Sequence, residues 1–281
     1  VLVIALSAAY QVHCAIHGFD LTDEGYLMTI YQWFTTDTYY AQGAGGYPLT
    51  AWLGSLLNSM GGGILAVRLW GVLVVVVTEV VLYLYLCRRF SPKMVLAGLL
   101  IQSVFVAQDP KPFGYNTLTA FVGILALIAL MEGALRNRYW LLLLSGVLLG
   151  VNVFVRLPNI TGLGFLLIPL LACFQGRSNC GLKRSGVQIA TVLAGFAVAL
   201  VLTWQLVVHI GADGQVKDLI ASITGQLGGN STHGSGSMLA KYAGNYIMAL
   251  WFVAIYAMTM VICAYTIRSR RWWLVLTGLF V

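Results

Sequence analysis

Three carboxylates, Asp20, Asp23 and Glu24, crowd the point where the first apolar run of the chain ends. Spacings of three and four residues place them on one face of a helix. Carboxylates packed this closely can bind a cation, or one of them can act as a general base. A base within hydrogen-bond reach of an acceptor hydroxyl takes its proton as the hydroxyl attacks. Asp23 and Glu24 are therefore the candidate catalytic residues. Asp20, first in the group, suits a helix cap beside a substrate. Capping alone is the second role open to all three acids, because they complement the dipole and free N–H groups of a helix start.

Two further segments carry polar chemistry. Asp109-Pro110-Lys111-Pro112-Phe113-Gly114-Tyr115-Asn116 holds two prolines and a glycine, which make a fixed turn. Asp109, Lys111 and Tyr115 are candidate substrate contacts there; simple solvation of a loop is the alternative. Arg156-Leu157-Pro158-Asn159 ends an apolar run. A guanidinium suits a phosphate at headgroup level, with Asn159 beside it, although an arginine here can also snorkel to the interface. Arg68 and Glu79 stand inside one apolar run, where ionisable side chains are costly in lipid. Arg68 lies near the outer end and is expected to snorkel. Glu79 lies deeper and needs a partner.

The elements that must position these residues are membrane helices. Of 281 residues, 59% are hydrophobic and 9% charged, against about 25% charged in soluble domains. Mean hydropathy is +0.86. Several apolar runs exceed the ~18–20 residues that cross a bilayer, and they are too long and unbroken for barrel strands. The predicted fold is an all-α transmembrane bundle of about eight or nine spans. They are placed at 1–16, 64–86, 94–108, 117–131, 139–155, 160–174, 187–209 and 245–267, with a ninth starting at Trp272. Residues 1–281 are read as one domain. Val1 and Val281 both fall inside apolar runs, so the sequence is expected to be a piece cut at both ends.

The net charge of +7 is scattered in short clusters, with no basic face or nucleic-acid motif, so no nucleic-acid partner is expected. The clusters orient the chain instead. Arg88, Arg89, Lys93, Arg136, Arg138, Arg177, Lys183, Arg184, Arg268, Arg270 and Arg271 occupy one set of alternate loops. Seven of the nine acids occupy the other set. The outer loops are then 19–63 and 210–244. The first contains two short amphipathic helices, read as lying in the membrane plane. One presents Tyr26, Leu27, Ile30, Tyr31 and Phe34. The other presents Leu49, Trp52, Leu53, Leu56, Leu57 and Met60. A short span at the second position would invert every later loop. The stretch 225–237 is glycine- and serine-rich, a substrate lid or a linker, and holds the weak sequon Asn230-Ser231-Thr232. The five cysteines are spread singly and the four histidines are not spaced as metal ligands, so no disulfide framework or metal site is expected.

Asp23-Glu24 after the first span, followed by an aromatic-rich helix, resembles the GT-C superfamily of membrane glycosyltransferases. Protein O-mannosyltransferases and the aminoarabinose transferase of lipid A belong to it. Gly46-Tyr47-Pro48-Leu49, Ala66-Val67-Arg68-Leu69, Arg88-Arg89-Phe90 and Asp109 also resemble family segments. Phe154-Val155-Arg156 stands where the family often has a Thr-Lys step, so Arg156 replaces the more usual lysine. The likeness covers about residues 1–175. The family's usual further spans and soluble C-terminal region are a second departure.

The resemblance implies a transferase that takes a sugar from a polyprenyl-phosphate donor. It passes the sugar to a lipid, glycan or protein acceptor on the non-cytoplasmic face of a bacterial inner membrane. Asp23 matches the family's catalytic acid position. No cofactor is expected; a divalent metal is possible but not indicated. A transporter or lipid flippase is the alternative, which the spans and Glu79 fit equally well. A non-catalytic membrane scaffold is a third reading.

Overall fold

The computed structural model describes residues 2–17, 23–43, 46–106, 112–174, 181–214 and 216–217. The chain divides into two compact units, Val1–Leu219 and Ile220–Val281, and all described residues fall in the first. The last two expected spans, the stretch 225–237 and its sequon lie outside the described residues. The reading of 1–281 as one domain likewise reaches past the described residues, which end at 217.

The described unit is helical, and no strand occurs among the described residues. Its order is α1 (Leu2–Ile16), α2 (Asp23–Trp33), α3 (Thr38–Gly43), α4 (Pro48–Ser59), α5 (Gly63–Leu86), α6 (Pro92–Val106), α7 (Tyr115–Arg136) and α8 (Tyr139–Val155). A 3-10 segment, Leu157–Leu166, follows, then α9 (Leu167–Phe174) and α10 (Leu182–His209). Local chemistry sets the boundaries. Pro48 stands in the first turn of α4, where its missing N–H costs nothing. Gly62 opens α5 with a φ of 93° and Asn137 ends α7 with a φ of 54°, the left-handed region that glycine and asparagine tolerate.

Among the described residues three helices, α5, α7 and α10, are long and apolar enough to cross a membrane, fewer than the seven spans expected over that stretch. α1, α6 and α8 are apolar but run 15, 15 and 17 residues, about 22–26 Å at 1.5 Å per residue, short of a ~30 Å hydrocarbon core. The expected span at 160–174 is a second correction. It is a ten-residue 3-10 segment followed by the eight-residue α9. Pro158, Gly162, Gly164 and Pro169 interrupt the run, and proline both removes a helical donor and clashes with the preceding turn.

α8 is the centre of the unit. It packs along α10 on one side and α7 on the other, while α1 packs on α5 and α6, and α2 on α4. Glycines let α8 and α10 approach backbone to backbone. A Cβ at Gly146 would strike the Val192 carbonyl oxygen, and one at Gly195 the Leu143 carbonyl oxygen. One at Gly150 would lie 2.7 Å from the Ala199 methyl. Small residues four apart on each helix make this crossing, as in membrane helix pairs generally.

The two short helices of the first loop are present, with 11 and 12 residues. α2 buries Leu27, Ile30, Tyr31 and Phe34 as expected, while Tyr26 is exposed. α4 differs. Its inner face is Leu49, Thr50, Ala51, Gly54 and Ser55, whereas Leu56 and Met60 are exposed. The Tyr31 ring occupies the space a Cβ on Gly54 would need. Close approach selects small residues at the α2 contact, while Leu49 is buried, Trp52, Leu53 and Leu57 are half-buried against the core, and Leu56 and Met60 turn outward.

The expected separation of charge is visible in the contacts. At one end, Arg89 and Arg136 both pair with Glu132, and Gln188 Nε2 donates to Ala134 O and Asn137 Oδ1. That end gathers the starts and ends of helices carrying Arg88, Arg89, Arg136, Arg138, Lys183 and Arg184. The first loop packs at the other end. There Thr50 Oγ1 donates to Val155 O at 2.8 Å and Leu157 N–H to Gly46 O at 2.9 Å.

Candidate functional site

The polar end is built on Arg68. It sits on the first turns of α5, and its guanidinium grips Glu24 at two points. Nε is 2.6 Å from Oε1 and Nη2 is 2.7 Å from Oε2, while Nη1 donates to Ala15 O at 3.0 Å. Arg68 is 5% exposed and Glu24 1%. The expected snorkelling of Arg68 is thus corrected: its charge turns inward. A fork of this kind is the strong form of the arginine–carboxylate pair. It joins the end of α1, the start of α2 and the start of α5. Both Glu24 oxygens are engaged, so Glu24 serves here as an anchor. Asp23 is the first residue of α2 and directly precedes that anchor. Its side chain lies outside what is described, as do all of Asp20, Asp109 and Lys111.

A second group forms around the start of α7. Phe113 ties it to the first, because its N–H donates to Val67 O at 2.9 Å and its carbonyl accepts from Tyr31 Oη at 2.9 Å. Two residues on, Tyr115 opens α7. Its ring lies 5.0 Å from that of Tyr47, and the Arg156 guanidinium stands 4.9 Å from the Tyr115 ring centre. Arg156 Nη1 also donates to Asn116 Oδ1 at 3.2 Å, and Arg156 is exposed. The helix start is capped by Gly114, which has no side chain to cover the first amides. Such a terminus attracts anions.

Burial raises the phenol pKa of both Tyr31 and Tyr47, Tyr115 adding to the first and Tyr26 to the second. Both hydroxyls therefore stay protonated. Asn159 joins the group from behind. Its Nδ2 faces Thr119 Oγ1 at 2.8 Å, Asn152 O at 3.0 Å and Asn152 Oδ1 at 3.2 Å, and its N–H donates to Arg156 O at 2.9 Å. Of the expected substrate contacts, Tyr115, Arg156 and Asn159 come together, with Asn159 bracing the turn that carries Arg156.

Glu79, buried in α5, finds partners on α1. Ser7 Oγ donates to its Oε2 at 3.0 Å, and Gln11 Nε2 to its Oε1 at 3.0 Å and to Ser7 Oγ at 3.1 Å. Sequence reasoning passed over Ser7 and Gln11, although two polar residues one turn apart in an apolar helix were a usable signal. Among the described residues no group of three or more histidine, cysteine or acidic side chains could hold a metal. No family model, curated protein or solved structure matches the chain.

Proposed function

We propose that the chain is a polytopic membrane glycosyltransferase of the GT-C kind, working at the non-cytoplasmic face of a bacterial inner membrane with a polyprenyl-phosphate sugar as donor. The observation that carries this reading is a juxtaposition. Asp23, next to the Glu24–Arg68 anchor, lies at the same end as Arg156, Tyr115 and the open start of α7, and Phe113 links the two groups.

In this mechanism the acceptor hydroxyl gives its proton to the Asp23 carboxylate while its oxygen attacks the anomeric carbon. The bond from that carbon to the phosphate oxygen breaks, and polyprenyl phosphate leaves with the electron pair. Arg156 and the start of α7 stabilise the charge that develops on the phosphate, the largest single contribution in many enzymes. Arg68 holds Glu24, and through it the first turn of α2, so that Asp23 is carried on a fixed element.

A transporter or lipid flippase is the second reading. Glu79 with Ser7 and Gln11 inside α5 and α1 favours it, since a buried ionisable group in a span often marks a transport path. One experiment separates the two. The purified chain in proteoliposomes is given a panel of polyprenyl-phosphate sugars with candidate acceptors. Release of polyprenyl phosphate coupled to glycosylated acceptor is expected. Movement of the intact donor across the bilayer without cleavage would replace the transferase reading with the flippase.

A further inference from the structure

We propose that His13 and His17 form a two-histidine site for one divalent transition ion of the zinc, nickel or copper class. The site lies at the C-terminal end of α1, with His13 in its last turn and His17 the residue directly after Ile16. The pair stands four residues apart, which corrects the reading that no histidines share metal-ligand spacing: one helical turn brings positions i and i+4 onto one face. Both side chains are exposed, and their ring centres are 4.5 Å apart with planes inclined at 45°. Two imidazoles this close can both reach one ion at the ~2.0–2.1 Å metal–nitrogen distance.

A second observation concerns the tautomer. His17 Nδ1 lies 2.8 Å from the His13 carbonyl oxygen. A carbonyl only accepts, so Nδ1 carries the hydrogen, and the neutral ring keeps its lone pair on Nε2. A backbone carbonyl holding the far N–H is the usual support of a metal-bound imidazole.

The surroundings favour a cation. The last carbonyls of a helix carry partial negative charge, and the nearby Arg68 that binds Ala15 O is neutralised by Glu24. Imidazole ligands select zinc, copper or nickel over magnesium or calcium. Water completes the coordination. The Cys14 side chain is engaged in a hydrogen bond with Tyr10 one turn earlier and takes no part. The site is independent of the transferase reading and stands or falls without it.

The test uses the full chain in detergent micelles, without a polyhistidine tag, titrated with Ni2+ by calorimetry. One site per chain is expected. Its Kd should rise roughly 10–100-fold in His13→Gln and likewise in His17→Gln. Cys14→Ser and His209→Gln should leave it unchanged. Helix content by circular dichroism checks that each variant is folded. Retention of the starting Kd by folded His17→Gln, or loss of binding in Cys14→Ser, would overturn the assignment.

Discussion

Arg68 and Glu24, 44 residues apart in sequence, form a buried two-point ion pair at 2.6 and 2.7 Å that fastens the start of α2 to the start of α5. Desolvating two charges is expensive, so the pair is worth more as a locator than as net stability. Removing one partner strands the other charge. Arg68→Leu and Glu24→Leu should each cost about 3–5 kcal/mol, and the double variant should recover much of the loss. Thermal unfolding in micelles measures this. Equal melting temperatures for Arg68→Leu and the starting protein would show that the pair carries no such role.

Gly146 and Gly195 set the α8–α10 distance. Gly146→Leu must push Val192 away, with a cost of about 1–3 kcal/mol or more from overpacking. Gly186, on the same α10, has nothing within 4 Å of an added Cβ. Gly186→Ala should therefore be neutral or stabilise by up to about 1 kcal/mol. Chemical or thermal unfolding of both variants gives the comparison, and a Gly146→Leu chain as stable as Gly186→Ala would contradict the packing described.

The separation of charge predicts sidedness. Gly61, Gly62 and Gly63 form the left-handed turn between α4 and α5, at the end opposite Arg136 and Arg138. An accessible tag inserted there should report the non-cytoplasmic side, and one near Arg138 the cytoplasmic side, by the positive-inside rule. The same compartment for both tags would break the arrangement of α5 and α7.

Arg156 is expected to hold the donor phosphate. Arg156→Ala should weaken binding of a polyprenyl-phosphate sugar by about tenfold or more. Arg156→Lys should weaken it only partly, since lysine keeps the charge and a cation over Tyr115 but loses the two-point fork. Equal donor affinity in Arg156→Ala would leave this arginine a snorkelling side chain.

Asp23→Asn tests the base. It keeps size but cannot accept the proton, so transfer should fall by ~10²–10⁴-fold with donor affinity and folding intact. Glu24→Gln should behave differently, losing stability first because the Arg68 charge is left without its counter-charge. Full transfer by well-folded Asp23→Asn would move the base elsewhere, and Asp109 is the next candidate.

Much of the helix pattern is readable from the chain alone. Helix starts and stops follow glycine, proline and arginine punctuation at Gly62, Pro48 and Arg88, and the boundaries of α8 coincide with the expected 139–155. The gathering of the basic residues Arg89, Arg136 and Arg138 at one end also followed from the sequence, because charge near a helix end is a one-residue property. Tyr115, Arg156 and Asn159 were each legible as polar residues at the ends of apolar runs, but that they meet came from the packing of α7 against the turn after α8.

What the tertiary structure alone decided is who faces whom. Hydropathy weighs each residue against lipid or water, one position at a time. It assigned Arg68 to the interface because it could not see Glu24, and it left Glu79 without a partner because Ser7 and Gln11 are 72 and 68 residues away. It read the apolar stripe of α4 as lying in the membrane plane and could not see that the Tyr31 ring requires a glycine at position 54. It read 160–174 as a span from apolar composition, although Gly162, Gly164 and Pro169 within the run, local signals in the sequence, break it into a 3-10 segment and a short helix. For Arg68, Glu79 and Gly54 the free energy depends on a pair of groups brought together by the fold, and a pair term has no signature in either residue by itself.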